Sequence, residues 1–492
     1  MTAGAIDPAS ASSPSPNPAV GNVLCVDMDG TLISTDSLWE SLLRLAKTNP
    51  RKLWPIPFRL REGRAAFKDY VATNVQLDAA LLPYRPEVLE LLRTNRAAGG
   101  RNVLATASHR LVANAVAEHL GLFDEVIASD PTANLKGAAK RAVLESRFGA
   151  GKFDYVGNSS ADLDIWKGCC CAITVDAGPS LERKVRAQCR QVRQLVPRRS
   201  SYKAMIKAVR PVQWCKNFLL LVPLILAHKW GDHARIINTL LGCVAFSTCA
   251  SSAYLLNDML DIADDRKHAR KRHRPFAAGR LSVPTGMAMM LLLAVIAFTI
   301  SLTLLTPKFT LVLLGYLCGT IGYSTYFKTR LLVDVFVLAG LYVIRIFAGA
   351  VAADVSLTPW LMAFSLFLFI SLAFAKRYTE LTRAIKNQQT QLAGRNYQIG
   401  DLEIIQSIGP GSGYMAVLVF CTYINSDLVR TLYRHPNVLW LICPVLMYWI
   451  TRLWFLARRH ALHDDPVVFA LTDRVSLMAG GLVACLILIA AL

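Results

Sequence analysis

Charge is scarce in this chain. Asp, Glu, Lys and Arg make up 18% of its 492 residues, against about a quarter in an average soluble protein. A small nucleic-acid binder would be rich in charge, and a wholly disordered chain would be poor in Leu, Ile and Val. With 53% hydrophobic residues the chain is neither. Acids are scarcer than bases, 34 Asp and Glu against 54 Lys and Arg, which leaves a formal charge of +20. A mean hydropathy of +0.36 with a basic excess points to a membrane protein with cationic loops. Zinc knuckles are missing. Twelve Cys are scattered, Cys169, Cys170 and Cys171 adjacent, and no pair of CxxC motifs stands at zinc-binding spacing. Residues 1–20, rich in Ala, Ser and Pro, lack the basic start and apolar stretch of a secretory signal and read as a disordered lead-in. The domain that follows is expected in the cytosol with its thiols reduced.

Composition breaks near residue 200, so each half is read separately. Residues 22–33 run Asn-Val-Leu-Cys-Val-Asp-Met-Asp-Gly-Thr-Leu-Ile, a short apolar run that ends in two carboxylates and a Gly. That pattern predicts a buried strand leaving a sheet at its C-terminal edge, where open α/β sheets gather ligands. Three later segments share the form: Asn102–Ser108, Asn134–Gly137 and Phe153–Asp162. Together they suit phosphoryl transfer through an aspartyl phosphate. Asp27 is the expected nucleophile, and Asp29, two residues on, the expected general acid and then base. Thr106 and Lys136 are expected to hold phosphoryl oxygens. Asn158 and Asp162, with Asp27 and Asp29, make an all-oxygen set suited to Mg²⁺.

This order of motifs resembles the haloacid dehalogenase superfamily in its phosphoserine-phosphatase-like branch, over roughly residues 20–190. The fourth motif of that family usually reads GDxxxD. Here it is Gly157-Asn158-Ser159-Ser160-Ala161-Asp162, so Asn158 offers a metal a carbonyl oxygen but no charge. Residues 36–95, with helical periodicity at Trp39, Leu42, Leu43 and Leu45 and again at Phe67, Tyr70 and Val71, resemble the small helical cap that closes over substrate. Arg59, Arg61 and Arg64 there read as a solvated face or as groups that meet an anionic substrate. Residues 191–210 are expected to be a basic linker on an anionic membrane surface, Arg193, Arg198, Arg199 and Lys203 lying just before membrane sequence begins. Nucleic acid is not the expected partner.

From residue 211 nine apolar stretches lie near 215–228, 236–256, 284–305, 309–327, 331–352, 358–375, 412–429, 437–457 and 474–492, each measured against the ~20 residues a span requires. Alternate loops at 257–283, 328–330, 376–411 and 452–473 carry 17 Lys and Arg between them. The positive-inside rule puts these loops and the N-terminal domain on the cytoplasmic side of a bacterial-type inner membrane.

The chemistry of this half is expected after the second span. Asp258, Asp261 and Asp265, spaced i, i+3, i+7, would share one helical face, flanked by Asn257 and Asp264 and followed by Arg266, Lys271, Arg272 and Arg274. Mg²⁺ carrying a diphosphate is the natural partner for such acids, and the cations suit phosphate oxygens. NDxxDxxxD resembles the first metal motif of the UbiA superfamily of intramembrane prenyltransferases, which implies nine helices and a site open to the cytoplasm. The usual second motif, DxxxD, is missing. In its place run Lys376-Arg377-Tyr378-Thr379-Glu380 and Gly394-Arg395-Asn396-Tyr397.

With Arg210–Asn217, the run to Gly279, Tyr323–Lys328, Arg345 and Ala348-Gly349, that departure resembles the decaprenyl-phosphate phosphoribosyltransferase branch. The resemblance implies transfer of 5-phosphoribose from phosphoribosyl diphosphate to a polyprenyl phosphate. Asp258, Asp261 and Asp265 would hold Mg²⁺ and diphosphate, and Tyr323, Lys328, Arg345, Lys376 and Arg377 would serve the sugar or lipid phosphate. The bland counterparts are a structural Arg345–Asp334 pair, a snorkelling Lys328, an i,i+4 pair of Lys376 with Glu380 and an interfacial anchor at Trp214. The expected architecture is an α/β Rossmann-like domain with a small cap over 21–190, then an all-α bundle of nine transmembrane helices over 211–492. The expected function is a phosphoribosyltransferase joined to a phosphatase that removes the 5-phosphate of the lipid-linked product. The rivals are a prenyltransferase using a polyprenyl diphosphate and an aromatic acceptor, and a phosphate-binding scaffold without turnover.

Overall fold

The computed structural model describes residues 23–130, 135–198, 200–229, 231–386, 395–462 and 465–492. The expected lead-in, and Asn134, Arg199 and Gly394 of the segments above, lie outside the described residues. The chain divides into two units, one running to Ala204 and taking in Met259–Pro284, the other comprising Met205–Asp258 and Thr285–Leu492.

In the first unit the elements run β1 (Val23–Val26), α1 (Ser37–Thr48), α2 (Ile56–Glu62), α3 (Arg64–Asn74), α4 (Pro86–Ala97), β2 (Arg101–His109), α5 (Arg110–Leu120), β3 (Glu125–Ser129), α6 (Ala138–Phe148), β4 (Phe153–Gly157), α7 (Leu163–Trp166), β5 (Cys171–Ala177), α8 (Pro179–Gln188) and β6 (Gln191–Pro197). The six strands form one parallel sheet in the order β3-β2-β1-β4-β5-β6. Parallel sheets are covered on both faces, which is why their strands read as unbroken apolar runs. Leu24 and Val26 pack with Leu104 and Val156 on one face, and Cys25 packs with Val103, Phe153 and Tyr155 on the other. Gln191–Pro197 was expected in a linker and instead pairs with β5 as an edge strand. Gln191, Arg193 and Gln194 are exposed while Val196 is buried, a one-sided pattern that an edge strand tolerates.

The chain continues through α9 (Tyr202–Val209), α10 (Val222–Leu226), α11 (His233–Leu260), α12 (Ile262–Lys267), α13 (Val283–Leu304), α14 (Pro307–Thr325), α15 (Val333–Ala353), α16 (Pro359–Lys386), α17 (Leu402–Ile424), α18 (Asp427–Leu432), α19 (Ile442–Arg458), α20 (Pro466–Thr472) and α21 (Arg474–Ala491). Among the described residues eight helices are long and apolar enough to cross a membrane. The remaining expected stretch, 309–327, forms α14, which is helical but less apolar than the eight. The second unit builds one core around Tyr342, Phe369, Phe374, Tyr378 and Trp454 and another around Phe246, Phe309, Leu313 and Tyr316. Leu291, Leu292 and Val295 on α13 are left exposed.

Two helices outrun their apolar spans. The helix α16 continues eleven residues past the expected end at 375, so Lys376, Arg377 and Glu380 lie on a helix rather than in a loop. Their charges are paired, and nothing about a paired charge ends a helix. The helix α17 starts at Leu402, ahead of the expected 412, and carries Pro410 internally. Close approach of backbone explains Gly349: a Cβ there would overlap the carbonyl of Leu220. We predict that Gly349→Ala lowers the stability of the detergent-solubilised chain by about 1–3 kcal/mol, as overpacking does. Gly340→Ala on the same helix meets nothing within 4 Å and should cost nothing, which thermal unfolding of both variants checks.

Candidate functional site

The chain leaves β1 at Asp27, whose N–H donates to Val156 O of the neighbouring strand at 3.0 Å. A tight turn follows, with Leu32 N–H donating to Asp27 O at 3.1 Å and Gly30 at φ +74. A Cβ at Gly30 would overlap the Asn158 carboxamide, so only Gly supplies both the left-handed backbone and the room. Asp27 Oδ1 accepts from Lys140 Nζ at 2.8 Å. Lys140 also donates to Ala105 O at 3.1 Å and to the Tyr155 hydroxyl at 2.9 Å, and that hydroxyl donates to Asp162 at 3.0 Å. Burial pushes the Asp27 carboxyl up to about 6; Lys140 pulls it down and Asp162 pushes it further up. Asp29 accepts from Ser37 N–H at 2.8 Å, from the Ser37 hydroxyl at 3.2 Å and from the Ser108 hydroxyl. Burial raises it to about 7, with Asp36 adding to the rise and the Ser108 and Ser37 bonds opposing it.

Two carboxyls two residues apart thus have different surroundings. Asp27 meets a cation and Asp29 meets neutral donors, the arrangement that separates a nucleophile from a proton carrier. Thr106 is buried on β2, its hydroxyl accepting from Ser108 N–H at 3.0 Å. The parallel register of β2 with β3 shifts between Thr106 and His109, a bulge beside the site. Asp162 is engaged by Asn158 N–H, Ser159 N–H and the Ser159 hydroxyl as well as by Tyr155.

A lysine other than the expected one contacts Asp27. Lys136 precedes α6 and is exposed, whereas Lys140, in the first turn of α6, is 3% exposed and reaches Asp27. The missed signal was helical register, because Lys140 shares the sheet-facing side of α6 with buried Leu144, four residues on. Ser37, Ser108, Tyr155 and Lys68 were also missed. Lys68 Nζ donates to Ala107 O at 2.6 Å, and burial lowers its ammonium below the usual range.

The Asp-rich run departs from one continuous helical face. Helix α11 ends at Leu260 and Asp261 becomes the residue before α12. In the second unit Asp258 is buried and pairs with Arg210, whose guanidinium lies 5.3 Å over the Tyr254 ring. In the first unit Lys47 pairs with Asp261 and, at 2.6 Å, with Asp264. Arg274 grips both oxygens of Asp265 at 3.1 and 2.8 Å. Arg266 donates to both oxygens of Glu40 at 2.8 and 2.6 Å, so it serves a carboxylate. Lys271 and Arg272 are exposed, and Asn257 is half-buried on α11.

Chemistry at Asp27 fits Mg²⁺: the donors are oxygens, and Lys140 takes one carboxylate oxygen of Asp27. Each acid of the run Asp258, Asp261 and Asp265 instead holds a protein cation. Among the described residues no three acid, His or Cys groups stand together as a metal site.

The second unit carries two further charge clusters. Arg345 is 4% exposed and bonds Asn217 Oδ1 at 3.1 Å, the Tyr316 hydroxyl at 3.0 Å and Leu341 O. Its guanidinium lies 4.9 to 5.8 Å over the rings of Tyr316, Tyr342 and Phe246. Lys216 lies 5.5 Å over the same Tyr342 ring and pairs with Asp465, which Lys376 approaches to 4.0 Å. Burial alone would raise the Asp465 carboxyl, but Lys216 and then Lys376 hold it far below the carboxylate range.

Asp334 pairs with Arg377 at 2.6 Å and with Arg395 at 3.1 Å, so its partner is not Arg345. Glu380 pairs with Arg377 and with Arg395 at 3.2 Å in place of Lys376. Tyr323 accepts from Arg377 at 3.0 Å and from Arg395 at 3.2 Å. Helix α14 ends at Thr325, between Tyr323 and Lys328, and Lys328 is half-buried in the turn that follows. Trp214 donates its indole N–H to the Ser251 hydroxyl at 2.9 Å. Asp465 was overlooked, and Asp334 was considered only as a partner for Arg345.

A family model described as the UbiA prenyltransferase family matches residues 218–477, more than half of the chain. The chain belongs to the UbiA prenyltransferase family. A second model, haloacid dehalogenase-like hydrolase, matches residues 24–166. An uncharacterized protein, y4nM, from Sinorhizobium fredii is 37% identical over 463 residues, covering 94% of this chain and 89% of its own. Nodulation protein NoeC from Azorhizobium caulinodans is 34% identical over 275 residues, 55% of this chain and 88% of its own. The decaprenyl-phosphate phosphoribosyltransferase of Mycobacterium tuberculosis is 36% identical over 184 residues, 36% of this chain and 60% of its own. The protein is therefore an integral membrane enzyme of the UbiA family that carries a haloacid dehalogenase-like hydrolase domain, two families that depend on Mg²⁺ in general.

Two predictions follow from the buried carboxyls. Lys140→Met leaves Asp27 without its cation and should destabilise the first unit by about 3 kcal/mol at pH 8. Lys136→Met should cost under about 0.5 kcal/mol, and hydrogen exchange of Val23–Val26 reads both. Asp29 has a raised carboxyl in the folded state, so its protonated form stabilises the fold at low pH, and that contribution is lost as pH rises through about 7. The loss begins near pH 4, where the unfolded carboxyl ionises, so Asp29→Asn should raise protection of Val23–Val26 more at pH 8 than at pH 5.

Proposed function

We propose that the helical unit transfers 5-phosphoribose from phosphoribosyl diphosphate to a polyprenyl phosphate, and that the α/β unit hydrolyses the 5-phosphate of the lipid-linked product. The observation that carries the transferase reading is Arg345. It is a buried guanidinium in the middle of α15 whose hydrogen-bond partners, among the described residues, are all neutral. An uncompensated cation in a span is costly, and a phosphate is the group that offsets it with charge and several acceptors. Lys216, over the same Tyr342 ring, adds a second cation to that neighbourhood. Identity to the decaprenyl-phosphate phosphoribosyltransferase supports the same donor and acceptor classes. The sequence resemblance assigns diphosphate and Mg²⁺ to Asp258, Asp261 and Asp265. Lys328, Arg377 and Tyr323 remain candidates for the same phosphates.

In the α/β unit Asp27 attacks phosphorus and is held by Lys140, and Asp29 protonates the leaving oxygen and then deprotonates water. Mg²⁺, bound by Asp27 and the Asn158 carbonyl, would neutralise phosphoryl charge. Covalent linkage keeps the phosphatase at high effective concentration near the first product. The 17 Lys and Arg of the alternate loops favour an inner membrane with the α/β unit on the cytoplasmic side.

Purified protein with Mg²⁺, polyprenyl phosphate and labelled phosphoribosyl diphosphate should place label in the lipid, and Asp261→Ala should abolish this. Asp27→Asn should accumulate the phosphorylated lipid ribose. Absence of label from folded protein would overturn the donor assignment, and identical end products from wild type and Asp27→Asn would overturn the tandem.

A further inference from the structure

One segment of the first unit is built opposite to a solvated surface. The 3-10 turn Pro50–Leu53 and α2 bury no residue at all. Trp54 is 81% exposed, Phe58 56% and Leu60 49%. The same stretch exposes Arg51, Lys52, Arg59, Arg61 and Arg64, and its lone acid, Glu62, is taken by Arg59 at 2.7 Å. The base of the segment is held in place. Tyr70 of α3 donates its hydroxyl to Lys52 O at 3.0 Å, and Arg59 lies 5.7 Å over the Tyr70 ring. An ordered element thus presents an indole, a phenyl and a leucyl side chain to solvent on a stretch that also exposes five cations.

We propose that Pro50–Arg64 is a docking surface for an anionic lipid bilayer. Indole and phenyl rings flanked by Arg and Lys are the composition of elements that lie in the headgroup region, the apolar tips entering the acyl boundary while the guanidinium groups reach lipid phosphates. Charge selects the partner. With four cations in excess of the paired Arg59 and Glu62, the patch complements an anionic surface. The chain itself spans a membrane, so a bilayer is always within reach of the tether. The segment runs directly into α3, whose Lys68 donates to Ala107 O beside the Asp29 site. Docking would hold that side of the cap at the headgroup level, where a phosphate monoester carried by a lipid is found. This last step rests on the phosphatase reading, whereas the docking itself does not.

The full chain in lipid nanodiscs tests it, with neutral phosphatidylcholine compared against discs holding roughly one-third phosphatidylglycerol. Amide exchange of residues 51–62 should slow about tenfold in the anionic discs. The slowing should weaken at high salt and vanish in Trp54→Ser/Phe58→Ser, with Val23–Val26 protection unchanged as proof of folding. Turnover of a water-soluble monoester should stay within about twofold in that variant, while turnover of a lipid-borne monoester falls about fivefold. Equal exchange in neutral and anionic discs would overturn the proposal, and so would protection that rises with protein concentration, which would assign the patch to a second copy. Anionic-lipid protection with no monoester turnover by wild type would uphold the docking and overturn the phosphatase reading.

Discussion

At the end of β1, Asp27 and Lys140 share a contact of 2.8 Å in a buried place where a lone charge is costly. Much of the first unit follows from keeping that pair. Lys140 must arrive from α6, so α6 packs with Leu144 toward the sheet. Tyr155, on β4 beside β1, accepts from Lys140 and donates its own hydroxyl hydrogen to Asp162, and Asp162 is saturated by the turn it ends. Gly30 must admit Asn158. The site is thus one set of mutually dependent burials, because a buried charge without its counterpart would cost several kcal/mol.

The same rule operates in the second unit with different partners. Arg377 is completely buried, its charge met by Asp334 and Glu380 with the Tyr323 hydroxyl beside it. Arg345 has aromatic faces and neutral oxygens in place of a carboxylate. Two arginines that look alike in the sequence therefore differ in what they leave available. One is neutralised within the fold, and the other retains a charge that an anion can meet.

The acids of the family's first motif show a third arrangement. Asp258, Asp261 and Asp265 each hold a different basic side chain. Carboxylates three and four residues apart share a face only while the helix between them is continuous, and here α11 stops at Leu260. Periodicity describes an ideal helix, whereas a string of like charges favours the interruption that lets each find its own cation.

Much was legible in the sequence: the parallel α/β domain, its Asp27 and Asp29 at a strand end, the helical membrane half and its Asp-rich loop. Those features rest on local physics, on apolar runs of strand or span length and on short motifs whose spacing acts within a turn. Bringing Lys140 rather than Lys136 to Asp27, extending α16 through Arg377 and Glu380, adding β6 to the sheet and pairing Asp334 with Arg377 rather than Arg345 all depended on partners 20 to 113 residues away. Whether a charge is neutralised, and by which residue, is decided by what packing brings beside it, and no local pattern encodes that.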